Sequence, residues 1–230
     1  MSHVLVAGGS RGIGAATVKL YEDNGFDVSY FYKHAPGAAG YGIKADVENI
    51  DELKTGLAAA VDKFGAVDVF VYCAGISLTG LTTDFSYDDY LRVMNTNFGG
   101  LFALCKEVIP SMVRAKSGVI TAVSSMWGQT GASCESVYAA SKGAIDAYVK
   151  SLAKELGPSG IRVNAVSPGV IDTDMMNEYS DEDKRDLADE TPLQRLGKPE
   201  DVARVIYNLS TEDSSFITGQ IIGVNGGFLI

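Results

Sequence analysis

A chain of 230 residues, 46% hydrophobic and 21% charged, can bury one substantial core and sits within the range of a single α/β domain over 1–230. A formal charge of −10 with no local basic cluster argues against nucleic acid and anionic membrane surfaces as partners. No apolar run reaches the roughly eighteen residues of a membrane span, the start at Met1-Ser2-His3 carries no export signal, and the three cysteines (Cys73, Cys105, Cys134) lack metal-ligand spacing; a soluble, cytoplasmic protein with free thiols and no metal is expected.

In chain order, a short apolar strand predicted over Val4 to Ala7 runs into Gly8-Gly9-Ser10-Arg11-Gly12-Ile13-Gly14 and a helix from Gly12 to Asn24. A glycine-rich turn between strand and helix permits positive φ and lets backbone approach a pyrophosphate, whose charge the helix N-terminus stabilises; a plain tight turn is the other reading. The next strand, Val28 to Tyr32, is followed by only His-Ala-Pro-Gly-Ala-Ala-Gly between Lys33 and Tyr41, too short for a helical crossover, so an extended loop is expected there. Further strands are predicted over Val67 to Tyr72, Val119 to Val123, Arg162 to Val166 and Ile221 to Val224. Helices are expected over Ile50 to Phe64, Tyr87 to Ala115, Tyr138 to Leu156, Asp181 to Glu190 and Pro199 to Ser210, with weak capping boxes at Ser86/Asp89 and Ser180/Asp183. This alternation predicts a doubly wound parallel sheet of about seven strands with helices on both faces.

Several segments carry more than fold. The glycines are spaced G-x-x-x-G-x-G; Ala45-Asp46-Val47 follows the third strand; Asn97-Phe98-Gly99-Gly100 lies in the central helix; Ser124-Ser125 ends a strand; Tyr138-Ala139-Ala140-Ser141-Lys142 opens a helix; and Asn164 to Thr173 reads N-x-x-S-P-G-x-I-x-T. Together with Asp201-Val202-Ala203 and Ile217-Thr218-Gly219-Gln220, these resemble the short-chain dehydrogenase/reductase family over almost the whole chain, with Ala7 where that family usually has threonine. The resemblance implies a Rossmann-like fold and interconversion of a carbonyl and a secondary alcohol.

Tyr138 and Lys142, four apart on a helix, share one face, and an ammonium beside a phenol is expected to lower its pKa toward a useful range. By resemblance, Tyr138 is the proton donor or acceptor, Lys142 also binds the nicotinamide ribose, Ser125 hydrogen-bonds the substrate oxygen, and Asn97 holds a water linking Lys142 to solvent. Taken singly, each of these residues also fits an ordinary structural role; their joint order favours catalysis. The resemblance further assigns Gly8, Ser10, Arg11, Gly12, Ile13 and Gly14 to the coenzyme phosphates, Asp46 and Val47 to the adenine side, Ala74 and Gly75 to close cofactor approach, and Pro168, Gly169, Ile171 and Thr173 to the nicotinamide. Met126, Trp127 and Cys134 border the substrate pocket, Cys134 as an inert thiol. In the fourth strand, Tyr72-Cys73 replaces the family's Asn-Asn and removes that pair's polar contacts.

The second strand ends Tyr30-Phe31-Tyr32-Lys33-His34, with no carboxylate to hold the ribose 2′-hydroxyl of NAD. Arg11 and Lys33 stand where NADP-preferring members carry cations for the 2′-phosphate, so NADP(H) is the expected coenzyme. The phrases Ser-Pro-Gly-Val-Ile-Asp-Thr-Asp-Met and Pro-Leu-Gln-Arg-Leu-Gly-Lys-Pro-Glu-Asp-Val-Ala resemble 3-oxoacyl-acyl carrier protein reductases, although relatives acting on sugars, polyols or steroids share much of them.

A substrate lid is expected over 174–197; its stretch Glu178 to Glu190 holds seven carboxylates against Lys184 and Arg185, unsuited to attracting an acidic carrier. Arg114 and Lys116 could supply part of a docking patch, but Ser159 stands where such reductases often place a second cation. A small acyl thioester or other free ketone therefore competes with a carrier-bound substrate. A catalytically inactive NADP-binding sensor or structural subunit is the reading from another class. By resemblance the chain forms a homo-oligomer, a dimer or tetramer, through its long central helices.

Overall fold

The computed structural model describes residues 2–177 and 179–230; Glu178, the first residue of the acidic stretch in the expected lid, lies outside the described residues. Seven strands, β1 (His3–Ala7), β2 (Asp27–Tyr32), β3 (Tyr41–Lys44), β4 (Val67–Tyr72), β5 (Gly118–Val123), β6 (Ile161–Pro168) and β7 (Ile221–Val224), form one sheet in the order β3-β2-β1-β4-β5-β6-β7. All neighbours run parallel. The helices are α1 (Gly12–Asp23), α2 (Ile50–Phe64), α3 (Tyr87–Met94), α4 (Gly100–Ala115), the short α5 (Trp127–Thr130), α6 (Ser136–Leu156), α7 (Asp181–Glu190) and α8 (Pro199–Ser210).

Strand periodicity sorts the core into two layers. Leu5, Ala7, Phe70, Tyr72, Ile120 and Ala122 face α2, α4 and α6 through Leu53, Leu104 and Ile145. Their alternates Val4, Val6, Val69 and Val71 meet Val18 and Tyr21 of α1 and Val202 and Ile206 of α8. Strands covered on both faces read as continuous apolar runs, which is why the sequence shows runs rather than alternation.

The crossover from β2 to β3 is a loop, as its length requires. Tyr30 organises it: its hydroxyl donates to the Gly37 carbonyl at 3.2 Å and accepts the Gly37 N–H at 2.8 Å. Both predicted capping boxes form, with Ser86 accepting from the Asp89 N–H and Ser180 from the Asp183 N–H, each at 3.1 Å.

The central helix departs from expectation. Instead of running unbroken from Tyr87 to Ala115, it passes through a π turn at Asn95–Gly99, where the Gly100 N–H reaches back to the Asn95 carbonyl. A π turn inserts one extra residue and redirects the side chains around it. The consequence falls on Asn97.

β1 and β4 are neighbours, but the chain leaves β1 toward β2 on one side and returns to β4 on the other. This reversal opens a crevice at the carboxyl ends of the strands, the place where open α/β sheets bind ligands. The Gly8 turn and the Ala74-Gly75 segment form its two lips.

Candidate active site

The first lip is a cradle fitted for backbone approach. Gly8 adopts a left-handed φ of +80°, and a Cβ there would lie 2.7 Å from the Ala74 nitrogen. A Cβ on Gly14 would lie 2.0 Å from the Gly8 carbonyl oxygen, so the turn folds onto α1 only with glycine at that position. Arg11 occupies the N-cap position of α1 and makes no side-chain capping bond, leaving Gly12, Ile13 and Gly14 as the opening turn of the helix. Across the crevice lies Thr173, whose methyl would stand 3.3 Å from a Cβ on Gly12.

Thr173 is delivered by the end of β6. Pro168 accepts from the Met126 N–H at 3.0 Å and Gly169 donates to the Val224 carbonyl at 3.1 Å. The chain then makes a short parallel bridge between Ile171 and Gly197, the Ile171 side chain packing into the α1/α8 layer. Pro168, Gly169, Ile171 and Thr173 are thus brought to the same crevice as the glycine cradle. A separate cavity of about 490 Å³ lies behind Ile171, lined also by Leu193, Arg195 and Asn225; it does not include Tyr138.

The four residues expected to be catalytic converge from three elements. Ser125 follows β5, Tyr138 and Lys142 occupy successive turns of α6, and Asn97 comes from the π turn. Tyr138 lies near enough to Ser125 for the serine to lower its pKa, and Ser125 Oγ accepts the Trp127 N–H at 3.2 Å. The Lys142 Nζ lies 5.6 Å from the centre of the Tyr138 ring and donates to the Val123 carbonyl at 2.9 Å. Gly75 sits against both remaining partners: a Cβ there would be 3.4 Å from Asn97 Oδ1 and from Lys142 Nζ.

Asn97 is completely buried and committed on both ends. Its Oδ1 accepts from the Ile76 N–H at 2.8 Å, while Nδ2 donates to the Ile76 carbonyl at 3.0 Å and to Ser141 Oγ at 2.9 Å. Both amide hydrogens are therefore spent on protein, and the side chain pins the segment after β4 beside Lys142. The expected water-holding role is left to Oδ1's second lone pair and the main chain.

Burial dominates the electrostatics of Tyr138 and Lys142. Burial pushes the Tyr138 phenol up to about 12; the neighbouring Ser125 opposes this and the charge of Glu135 adds to it. Burial likewise pushes the Lys142 ammonium down to about 8, with Cys73 and Asp146 opposing. Lys142 gives one of its three ammonium hydrogens to Val123, and desolvation of the phenol dominates the shift of Tyr138.

The cations expected to be available for a 2′-phosphate are both engaged. Lys33 Nζ lies 2.7 Å from Asp46 and 3.2 Å from Glu48, and Arg11 lies 3.5 Å from Asp174. Asp46, expected beside an adenine, thus spends its carboxylate on Lys33. Val47 packs under the π turn, its carbonyl 2.8 Å from where a Cβ on Gly100 would be. Ser10 lies against Gly37 of the β2–β3 loop.

Of the three residues expected at the substrate pocket, Met126 is 2% exposed and belongs to the interior rather than an open wall. Trp127 stands edge-on to Phe228 with ring centres 5.9 Å apart. Cys134 has a left-handed φ of 62° and accepts the Gly80 N–H at 2.8 Å. Beside it, Glu135 accepts from Ser77 Oγ at 3.0 Å, and burial holds its carboxyl above the usual range.

Two functional neighbours escape sequence reasoning. Glu135 acts on Tyr138 from one turn earlier. Tyr72 sends its hydroxyl from β4 to the Thr96 carbonyl in the π turn. The only sequence signal for that contact is Gly99-Gly100, unusual inside a helix and needed because a Cβ on Gly100 would meet the Tyr72 hydroxyl at 2.4 Å.

Residues 7–229 match the protein family described as Enoyl-(Acyl carrier protein) reductase. The chain is 39% identical over 236 residues to the 3-oxoacyl-[acyl-carrier-protein] reductase FabG of Chlamydia pneumoniae, covering 97% of this chain and 95% of that protein. Among solved structures, the ligand-free aldohexose dehydrogenase of Thermoplasma acidophilum superposes with a TM-score of 0.93 at 32% identity, covering 99% of this chain and 93% of that one. ElxO with NADP bound gives 0.92 at 30% identity, covering 99% and 98%. With nearly the full length matched in sequence and in fold, the chain belongs to the short-chain dehydrogenase/reductase family and is an oxidoreductase.

Proposed function

We propose that the protein interconverts a ketone and a secondary alcohol with NADP(H), and that the physiological direction is reduction of a 3-oxoacyl thioester. The observation that carries this reading is the convergence of Ser125, Tyr138, Lys142 and Asn97 on one crevice that also holds the Gly8–Gly14 cradle. The cradle fits a dinucleotide: its glycines leave no side chain between backbone and a pyrophosphate, and α1 presents its N-terminus there. Gly8, Ser10, Gly12, Ile13 and Gly14 would hold the pyrophosphate, Lys142 the ribose hydroxyls, and Pro168, Gly169, Ile171 and Thr173 the nicotinamide. Arg11 and Lys33 would take the 2′-phosphate. NADP-bound ElxO, matched over 99% of this chain, supports this coenzyme. Bound there, the coenzyme supplies the hydride that the protein's own groups cannot.

The side chains do the rest. With its pKa near 12, Tyr138 carries its proton at neutral pH and is a donor to the oxygen of a carbonyl being reduced. Ser125 Oγ, which lies beside Tyr138, adds a second donor to that oxygen and stabilises the charge developing on it. Asn97 fixes the backbone at Gly75 and Ile76 and so the wall against which Lys142 stands.

For the substrate, likeness to FabG of Chlamydia pneumoniae supports a 3-oxoacyl thioester. Among the described residues α7 carries Asp181, Glu182, Asp183, Asp186, Asp189 and Glu190 against Lys184 and Arg185, which disfavours docking of an acidic carrier and favours a small free thioester. The half-buried Glu135–Ser77 pair beside Tyr138 supports a second reading, a hydroxylated substrate of the sugar or polyol class, to which it would offer an acceptor. Segment 174–197 serves as the lid, and the protein works in the cytoplasm as a dimer or tetramer.

NADPH oxidation with an acetoacetyl thioester, set beside an aldohexose assay run with NADP, separates the readings. We expect thioester reduction with a higher kcat/KM for NADPH than for NADH. Turnover of the aldohexose alone selects the second reading, and equal efficiency with the two coenzymes contradicts the NADP(H) assignment.

A further inference from the structure

The expected 2′-phosphate site contains two cations and three carboxylates. Arg11 faces Asp174, and Lys33 is shared by Asp46 and Glu48. The site therefore carries a net negative charge unless an incoming phosphate displaces a carboxylate from its cation. The carboxylates around Lys33 differ in how they are held. Asp46 Oδ1 also accepts the Glu48 N–H at 3.1 Å, and the Asp46 N–H donates to Glu52 at 2.9 Å, so Asp46 is part of the turn that leads into α2. The Glu48 side chain is 27% exposed, much as Asp46 at 25%, but its carboxylate is bonded to Lys33 alone of these groups, and that bond is the longer of the two. It is the carboxylate a phosphate can displace without disturbing the turn.

We infer that Glu48 is a specificity-determining residue that sets how strongly the protein prefers a 2′-phosphorylated coenzyme, by competing with the phosphate for Lys33. This rests on the NADP(H) reading of the same site. A phosphate with a charge near −2, brought to an ammonium already shared by two carboxylates, meets the repulsion of both. Either Glu48 swings into solvent, or it remains and repels the phosphate; in both cases its charge weakens binding of the phosphorylated nucleotide and leaves the unphosphorylated one untouched. The bond to Asp46 holds the Lys33 ammonium above its ordinary pKa, so the lysine is charged throughout the working range of pH.

The probes are 2′,5′-ADP and 5′-AMP, which differ only in the 2′-phosphate, measured by titration calorimetry on the full chain. In Glu48→Gln we expect 2′,5′-ADP to bind about three- to fivefold more tightly, the scale of one partly exposed ion pair, with 5′-AMP unchanged. Adding Lys33→Met should erase that gain, since the competition then has no object. If Glu48→Gln leaves both affinities unchanged, or shifts them equally, while the wild type still prefers 2′,5′-ADP, the role of Glu48 is wrong and the coenzyme assignment stands. A wild type that binds both probes alike, together with an inert Glu48→Gln, overturns both.

Discussion

His3 opens β1 at the end of the sheet remote from the crevice, with its ring buried against Phe64. One ring nitrogen bonds the Gly65 carbonyl at 2.9 Å and the other Ser29 Oγ at 2.7 Å, so the neutral ring joins β1 to β2 and to the turn before β4. Burial lowers its pKa, and Gly65, Asp68 and Asp27 oppose this only partly. The folded state therefore binds its proton later than the unfolded chain as pH falls. The contribution of His3 is fully present above about pH 6.5, the unfolded value, and is lost as pH drops from there through the folded value. Urea midpoints at pH 7.5 and 5.5 should fall between the two for the wild type and fall less for His3→Gln. An equal fall would assign the acid sensitivity to other groups. Residue spacing made Tyr138, Lys142 and the glycines legible because local geometry fixes their faces, while Ser125 was legible only through the family resemblance. The partners of Lys33 and the environment of Tyr138 were not legible: they depend on side chains brought in from the turn after β3 and from the segment before α6.

Among elements, the π turn does most to shape the site. A continuous helix would carry Asn97 at a different angle, and the turn is held open by the Tyr72 hydroxyl on the Thr96 carbonyl. Tyr72 is completely buried, and that burial raises its pKa, so it remains a donor at any working pH. Tyr72→Phe leaves the carbonyl without this donor in the interior. It should cost about 1–3 kcal/mol in denaturant unfolding with an unchanged m-value. It should also lower kcat more than it raises KM, because Asn97 loses its support. Full stability and full kcat in the variant would show that the π turn stands without Tyr72. The strands and most helices were readable from apolar runs and caps, and the loop between β2 and β3 from its length alone. The break in the central helix was not, since Tyr72 reads as one more apolar strand residue and its reach to Thr96 exists only once β4 lies beside that helix.

For the whole molecule, the parallel order β3-β2-β1-β4-β5-β6-β7 collects on one rim the cradle after β1, Gly75 after β4, Ser125 after β5 and Thr173 after β6. Residues distant in sequence thus share a crevice because each follows the carboxyl end of a strand. On the outside, α4 exposes Phe102, whose ring lies 6.3 Å from Tyr148 of α6. Sequence alone made this architecture legible through its alternation of strands and helices, whereas the balance of charge at the coenzyme rim emerged only from the folded arrangement of Arg11, Lys33 and their carboxylates. The proposed role of Tyr138 on this rim is that of proton donor in carbonyl reduction. The most direct measurement compares wild type and Tyr138→Phe for NADPH oxidation with an acetoacetyl thioester, with NADPH affinity measured on both. A loss of turnover of about 10²- to 10⁴-fold is expected in the variant with coenzyme binding retained; turnover close to that of the wild type would rule this role out.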